Sequence, residues 1–445
     1  MGGGSYQWTP ELLADLMGTP SLEGAKLVLE DINPVPLQKT EALGAKLREE
    51  MKSSCTISST TEQERALDGA DFVIVCISTG GFESMEIDLE ISARHGICHS
   101  VGDTVGPGGI NRALRNIPVL VGIAKDMETY CPDAWLLNIT NPMTTLTRAV
   151  CKETSIRTVG LCHEVWNFRV DLAMALGKRW EDIRPTIAGI NHFPIVTSLD
   201  IEGEDGFPIL TDLVREAGGL EKQVPFSGGP EPEPFSKLSF IQRNLLKLTL
   251  LECWGAFPAA GDRHIAEFLP SILTPESNWG MDYNIELTSI AERKQHEEGF
   301  RADVAGWLAG TKELQIWQSG ELPSPLIEAL LGGEPIEAPV NIPNVGQVPC
   351  LSKGVVVEAM CVVDSNGIRG KDEPEVPAFY AEMLRRHSVV QEITVEAALS
   401  GDVALVNQAF ELDPLAGRGD FSERKTMVRE LLSGTSKWLP QFSLL

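Results

Sequence analysis

An α/β fold is predicted for this chain of 445 residues, with a parallel sheet in the first half and a mixed arrangement of helices and strands in the second. Three observations carry the prediction. Short apolar runs alternate with polar, helix-forming stretches from Leu27 to Leu161, glycines open the chain just ahead of its first helix-like run, and longer helical stretches take over after about Thr197. With 43% hydrophobic residues, the chain has enough apolar surface for two compact domains.

Taken in order, Gly2-Gly3-Gly4-Ser5 matches the first half of a GxGxxG turn, in which a helix start meets a diphosphate; glycines after an initiating Met equally make a flexible end. The residues that follow favour the turn. Pro10 to Met17 reads as a helix and Leu27 to Leu29 as a buried strand ending at Glu30-Asp31, where an acidic group reaches ribose hydroxyls. Asp31 is therefore a candidate cofactor ligand. A doubly wound, Rossmann-like sheet places its central strand before those glycines, and none precedes them here. A gap in the ladder is expected, so either the natural start lies upstream or dinucleotide is bound poorly.

The stretch around Pro36 to Met51 reads as helix, and Phe72 to Ile77 as a strand running into Ser78-Thr79-Gly80-Gly81. Small residues there let a nicotinamide ribose or diphosphate approach the backbone, or simply make a tight turn. Gly102 to Gly109, with Asp103 inside it, is a substrate-facing loop or a surface turn. A helix around Ile110 to Thr129, a strand from Ala134 to Ile139, a loop ending in Asn141-Pro142, and a strand from Thr158 to Leu161 complete the alternation. The expected division is a Rossmann-like dinucleotide-binding domain at 1–197 and an α+β domain at 198–445 for substrate, metal and oligomer contacts. Gly228 to Pro234, rich in Pro and Glu, is expected to be a solvated loop.

Net charge and cysteine usage exclude several classes. A charge of -26 opposes sequence-independent attraction to nucleic acid or anionic lipid, and no window approaches the roughly 20 apolar residues of a membrane span. A cytoplasmic location is the expectation. Nine cysteines, an odd number with no CxxC pair, argue against a disulfide framework.

Cys162 and His192 each follow a short apolar strand, where open α/β sheets present functional groups. Singly, such a cysteine is a small core residue and such a histidine a hydrogen-bonded structural one. Together, a thiolate and an imidazole can hold one borderline divalent ion and leave positions open for substrate oxygens. His163 is a third ligand or a proton donor.

In order along the chain, Gly2-Gly3-Gly4-Ser5, Asn141-Pro142, Cys162-His163, Gly189-Ile190-Asn191-His192, Pro258-Ala259-Ala260-Gly261-Asp262, and Val340-Asn341-Ile342-Pro343-Asn344 through Val355-Val356-Val357-Glu358 resemble glycoside hydrolase family 4. These are the NAD-dependent and divalent-metal-dependent glycosidases, and the resemblance runs nearly end to end. It implies a lactate dehydrogenase-like architecture, a homodimer or homotetramer, and hydrolysis unlike the usual two-carboxylate route. The implied sequence is oxidation at carbon 3, metal-assisted deprotonation at carbon 2, elimination of the aglycone, water addition and re-reduction, with NAD regenerated.

The pattern of glycines and strand ends makes Gly2, Gly3, Gly4, Ser5, Asp31, Ser78, Thr79 and Gly80 the candidate NAD contacts, and the remaining roles follow from the resemblance residue by residue. That resemblance makes Cys162 and His192 ligands of Mn²⁺, or of Co²⁺, Ni²⁺ or Fe²⁺, and gives Asn141 the substrate hydroxyls, with Asp103 facing substrate. Asp262 takes the place of the carbon-2 base, with a capping or turn residue as the alternative. His163 falls at the acid for the leaving oxygen, and Arg263 and His264 orient substrate; ordinary polar roles at the site edge remain open for all three.

Cys162-His163-Glu164-Val165 resembles the signature of the α-galacturonidase branch, implying a small uronic acid-containing glycoside or oligosaccharide as substrate. An α-galactosidase, α-glucosidase or α-glucuronidase is the alternative within the family. A 2-hydroxy acid dehydrogenase or a non-catalytic NAD-binding protein is the alternative outside it. A uronate needs a cation against the charge of -26, and Arg263, Arg112 and Arg169 are the candidates. Glu164 would orient a ligand or an arginine.

Overall fold

The computed structural model describes residues 1–220, 236–314, 316, 319 and 321–442; the Gly228 to Pro234 loop lies outside them. The strands are β1 (Lys26–Glu30), β2 (Thr56–Thr60), β3 (Phe72–Val75), β4 (Trp135–Asn138), β5 (Arg157–Leu161), β6 (Ile183–Ile190), β7 (Phe193–Ile201), β8 (Glu204–Asp205), β9 (Phe257–Pro258), β10 (Ile336–Pro343), β11 (Val356–Asp364) and β12 (Gly367–Gly370). β1 and β2 form a parallel pair of their own. The other ten make one mixed sheet, in the order β3-β4-β5-β10-β11-β6-β7-β8, with β12 on β11 and β9 on β7.

The break between β1 and β3 lies where the first strand was missing from the sequence pattern. Residues 1–3 run between the two: the Met1 amino group donates to Ile74 O (2.9 Å), Cys76 N–H to Met1 O (3.0 Å), and Gly3 N–H to Glu30 O (2.7 Å). Backbone groups that a full strand would satisfy are thereby partly paired.

β3, β4 and β5 are parallel, as the alternation with helices Gly81–Arg94, Gly106–Tyr130 and Met143–Glu153 requires. β10 and β11, from the second half of the chain, enter the sheet antiparallel between β5 and β6. Residue 198 falls inside β7, so the division expected at 197/198 does not coincide with a break in the sheet. One register row crosses six strands, through Val75, Asn138, Gly160, Asn341, Glu358 and Gly189. Asn141, Cys162 and His192 each lie within three residues of that row, so pairing in the sheet fixes their separation before any side chain contact is made.

Helix Gly106–Tyr130 packs its apolar face, including Leu114, Ile117 and Leu120, into the core beneath β3 and β4. Each such fully buried side chain contributes about 2 kcal/mol from removal of apolar surface from water. Anchored this way, the start of the helix holds the preceding loop and Asp103 against the sheet. All nine cysteines are free thiols. Among the described residues, no helix is long and apolar enough to cross a membrane.

Candidate active site

The glycine turn is packed against the ends of β1 and β3. A side chain at Gly2 would place its Cβ 1.9 Å from Cys76 O, one at Gly3 2.9 Å from Leu29 Cβ, and one at Gly4 2.8 Å from Asp31 Oδ2. Only glycine fits. Helix Trp8–Gly18 starts directly after it, with Ser5 Oγ accepting from Trp8 N–H (3.1 Å). Asp31 Oδ2 accepts from Gly4 N–H at 3.0 Å, which puts the acidic end of β1 beside the turn as the fingerprint requires. Gly80 has φ +84 and opens helix Gly81–Arg94. Thr79 beside it is held on both sides: Asn116 Oδ1 accepts from its N–H (2.9 Å), and Arg115 Nε donates to its carbonyl (3.1 Å).

Thr140 links this region to the next. Its Oγ1 accepts from Ile77 N–H (3.0 Å) and donates to Val75 O (3.2 Å), so the exit from β3 is tied to the loop that carries Asn141. The Asn141-Pro142 bond is cis, and the Asn141 side chain reaches Asp103 Oδ2 at 3.4 Å.

Asp103, His192 and His264 form the heart of the site, with one potential ligand atom from each all within 4.8 Å of one another. His192 occupies the two-residue hairpin between β6 and β7 at φ +64, a conformation uncommon outside glycine. Thr104 Oγ1 donates to Asp103 Oδ1 (2.7 Å) and lies 2.7 Å from His192 Nδ1. With the hydroxyl proton directed at Asp103, Nδ1 carries the imidazole proton and donates to Thr104, leaving Nε2 as a lone-pair donor. Burial, and then the charge of His264, pushes His192 down to about 3, so it is neutral and fit to bind a cation. His264 stacks on His192 at 3.6 Å between ring centroids, and its buried Nδ1 has no partner. Burial opposes ionisation of Asp103, but His264, Arg112 and the hydrogen bond from Thr104 outweigh it and hold the carboxylate at about 2.

Cys162 is buried at the exit of β5 and hydrogen-bonds Asn191, the residue before His192. Its sulfur lies outside the Asp103, His192 and His264 cluster. Burial and the nearby Glu358 and Glu164 push the thiol well above its ordinary range, a balance that a bound cation reverses. Behind it, Asn191 Nδ2 donates to Glu358 Oε2 at 3.2 Å, while Asn191 Oδ1 and Glu358 Oε1 are buried without partners.

His163 is clamped between Glu164 (3.4 Å) and Glu321 (3.1 Å). Burial works against its charge, yet hydrogen bonds to the two carboxylates raise it to about 10. Glu164 Oε2 accepts from Gly261 N–H at 2.5 Å.

Asp262 is not placed with the cluster. Its carboxylate accepts from Leu246 N–H (2.7 Å) and Lys247 N–H (3.2 Å), capping helix Leu245–Trp254. Residues two apart on a helix face different ways, so Asp262 and His264 on Asp262–Phe268 diverge. The expected carbon-2 base thus has the contacts of a cap. Arg263 is a loop staple, donating to Ser100 O through Nε (3.1 Å) and Nη2 (2.6 Å). Arg169 bonds Ile183 O (2.8 Å) and lies over Trp180, away from the cluster.

Three contributors were not read from the sequence: Thr104, Glu321 and Glu267. Glu267 is fully buried, three residues after His264, and accepts at Oε1 from Val101 N–H (2.8 Å), Gly102 N–H (2.8 Å) and His99 Nδ1 (3.0 Å). The one available signal was its spacing of three residues from His264, which puts both side chains on one face of the helix.

The fold is an α/β sheet with a dinucleotide-type glycine turn, and it carries a histidine and carboxylate cluster that could hold a divalent ion. Residues 1–178 match the Family 4 glycosyl hydrolase family and residues 187–416 its C-terminal domain. The chain belongs to family 4 of the glycosyl hydrolases.

Among curated relatives, it is 33% identical to an alpha-galacturonidase of Lachnoclostridium phytofermentans over 99% of this chain and 96% of the relative. It is 34% identical to an alpha-galactosidase of Bacillus subtilis over 99% and 98%. The solved structure of lplD from Bacillus subtilis is 32% identical and superposes with a TM-score of 0.85, covering 97% of this chain and 98% of that one. Two more distant structures share the fold. One is a 6-phospho-alpha-glucosidase from gut microorganisms in complex with NAD and Mn²⁺ (22% identity, TM-score 0.80, 99% and 98% covered). The other is the lactate dehydrogenase of Cryptosporidium parvum (14%, TM-score 0.52, 89% and 96%). The Rossmann-like, lactate dehydrogenase-type architecture expected from the sequence is therefore the one found.

Proposed function

We propose that this glycosidase cleaves α-galacturonides with NAD and a divalent metal, Mn²⁺ in the first instance. The observation that carries the reading is the cluster of Asp103, His192 and His264 beside Asn141, joined through Thr140 to the end of β3 and the glycine turn. A cofactor on one side and a sugar on the other would share that line. Both groups fit the residues present. Any Cβ at Gly2 to Gly4 would fill the turn, and the cluster offers a neutral imidazole, a carboxylate and an unpartnered ring nitrogen.

When bound, NAD supplies a hydride acceptor at carbon 3 and the cation supplies positive charge to the oxygens of carbons 2 and 3. Gly2, Gly3, Gly4 and Ser5 would cradle the diphosphate at the start of helix Trp8–Gly18, Asp31 the ribose hydroxyls, and Ser78, Thr79 and Gly80 the nicotinamide side. His192, Asp103 and His264 would hold the metal, with Cys162 as the softer ligand that family position adds. Asn141 would orient the sugar hydroxyls. His163, held protonated by Glu164 and Glu321, is suited to give a proton to the leaving oxygen. Asp262 is assigned a positioning role, fixing the turn at Gly261 whose amide holds Glu164. The galacturonide preference rests on Cys162-His163-Glu164-Val165 and on the alpha-galacturonidase relative.

The test is release of p-nitrophenol from the α-galacturonide, α-glucuronide and α-galactoside with NAD, Mn²⁺ and reductant, each then omitted. Turnover of the galacturonide that needs all three is expected. Turnover of the neutral sugar alone would overturn the uronide reading and keep the mechanism, whereas cofactor-independent cleavage would overturn the mechanism.

A further inference from the structure

The site lies in an acidic molecule, yet two arginines stand near the starts of helices joined to the Asp103 loop. Arg112 stands on the second turn of helix Gly106–Tyr130, which follows the loop of Asp103 and Thr104. Its Nε donates to Asn141 O at 3.0 Å, fixing the side chain next to the residue expected to orient sugar hydroxyls. Arg293 stands on the first turn of helix Ile290–Ala309, whose start is stitched to the Asp103 loop. Thr288 N–H donates to His99 O (3.0 Å), and Thr288 Oγ1 to Ser100 O (2.6 Å).

Both side chains are half-buried. Among the described residues, neither has a carboxylate within ion-pair distance, and the terminal nitrogens of Arg112 and the whole guanidinium of Arg293 have no protein hydrogen-bond partner. Burial lowers the pKa of Arg112 most; Asp103 and Asp88 oppose that shift from a distance, while Arg115 and Arg293, as like charges, add to it. The arrangement is costly for the protein alone and suited to an anion.

The site's other charges sort by element. Glu11 and Asp15, on helix Trp8–Gly18, interact with Glu321, and Glu11, Glu164 and Glu321 face His163. An anionic sugar group is repelled there and attracted at the arginines. Of the three cations considered from sequence, Arg263 is occupied by Ser100 and Arg169 by Ile183 and Trp180. Arg112 alone is both beside the cluster and free at its terminal nitrogens, and Arg293 is a partner that no motif revealed.

We propose that Arg112 and Arg293 form the subsite that recognises the substrate's carboxylate, gripping it between the starts of helices Gly106–Tyr130 and Ile290–Ala309. This deepens the uronide reading and rests on it. A neutral hexoside lacks the group that satisfies the pair, so the subsite discriminates as well as binds: it leaves two guanidiniums unpaired when the wrong sugar enters.

The test compares wild type, Arg293→Gln, Arg293→Lys and Arg112→Gln on p-nitrophenyl α-galacturonide and α-galactoside with NAD and Mn²⁺. NAD affinity is measured by fluorescence, and affinities for free galacturonate and galactose by calorimetry. Arg293→Gln is expected to lower the galacturonide to galactoside ratio, in kcat/KM and in sugar affinity, by about tenfold or more, chiefly through KM. Arg293→Lys should restore part of it, with NAD affinity within about twofold of wild type. An unchanged ratio in both Gln variants overturns the proposal. Parallel loss on both sugars with weakened NAD binding also overturns it, because the anion is then the cofactor's phosphate. The uronide reading is judged separately by wild type: if that protein takes only the neutral sugar and does not bind galacturonate, the reading fails and the subsite falls with it.

Discussion

Glu267 holds the Asp103 loop from a helix that also presents His264, and replacing it tests whether the candidate metal cluster depends on that lock. Glu267→Ala removes the acceptor shared by Val101 N–H, Gly102 N–H and His99 Nδ1, at 2.8, 2.8 and 3.0 Å. Each buried donor left unsatisfied costs about 1–3 kcal/mol, so the three together predict a loss of about 3–9 kcal/mol in unfolding free energy. That is a large share of the about 5–15 kcal/mol by which folded proteins are ordinarily stable. Glu267→Gln keeps the oxygen and loses the charge, and should cost only about 1–2 kcal/mol. Urea unfolding of the metal-free protein measures both. Mn²⁺ titration by electron paramagnetic resonance should show affinity falling about tenfold or more in the Ala variant, because Asp103 follows directly on Gly102. Variants within about 0.5 kcal/mol of wild type, or an Ala variant no worse than Gln, would refute the reasoning.

Burial pushes the Cys361 thiol up to about 12. In the unfolded chain the thiol ionises near its ordinary 9.0 while the folded one resists, so the stability from keeping it neutral is complete below that pH and is lost as pH rises towards 12. Cys361→Ala should flatten the alkaline limb of a stability curve by about 1.4 kcal/mol per pH unit, read from urea midpoints at neutral and alkaline pH; an identical limb sinks the assignment. Cobalt loaded into wild type should show a thiolate-to-metal charge-transfer band that Cys162→Ser abolishes, and a band-free wild type removes Cys162 from the ligand set. Asp262→Asn should lower stability by about 1 kcal/mol and slow turnover less than about tenfold, with solvent deuterium still entering carbon 2 of the sugar. Loss of that exchange with a fall of about a hundredfold or more would restore Asp262 as the base.

The sheet's parallel core was legible because buried strands must be apolar along their length: Leu27 to Leu29, Phe72 to Val75, Leu136 to Asn138 and Thr158 to Leu161 are all strands in the structure. The gap before the glycines was legible too, since a doubly wound sheet needs a strand there. Local sequence likewise marked Cys162, His192, Asn141 and the glycine turn, each a residue type whose chemistry or φ requirement is local.

Tertiary structure decided what those residues do together. Strand pairing brings Asn341 and Glu358 opposite Gly160 and Gly189, a neighbourhood set by long-range register that no local period encodes. Helix phase turns His264 into the cluster and Asp262 out of it, although the two are nearly adjacent in sequence. Of three candidate arginines, hydrogen bonds made across the fold occupy two and leave Arg112 open. The sequence determined which chemical groups were available and where the backbone could bend; only packing determined which of them lie together, because proximity across the chain is a property of the folded whole.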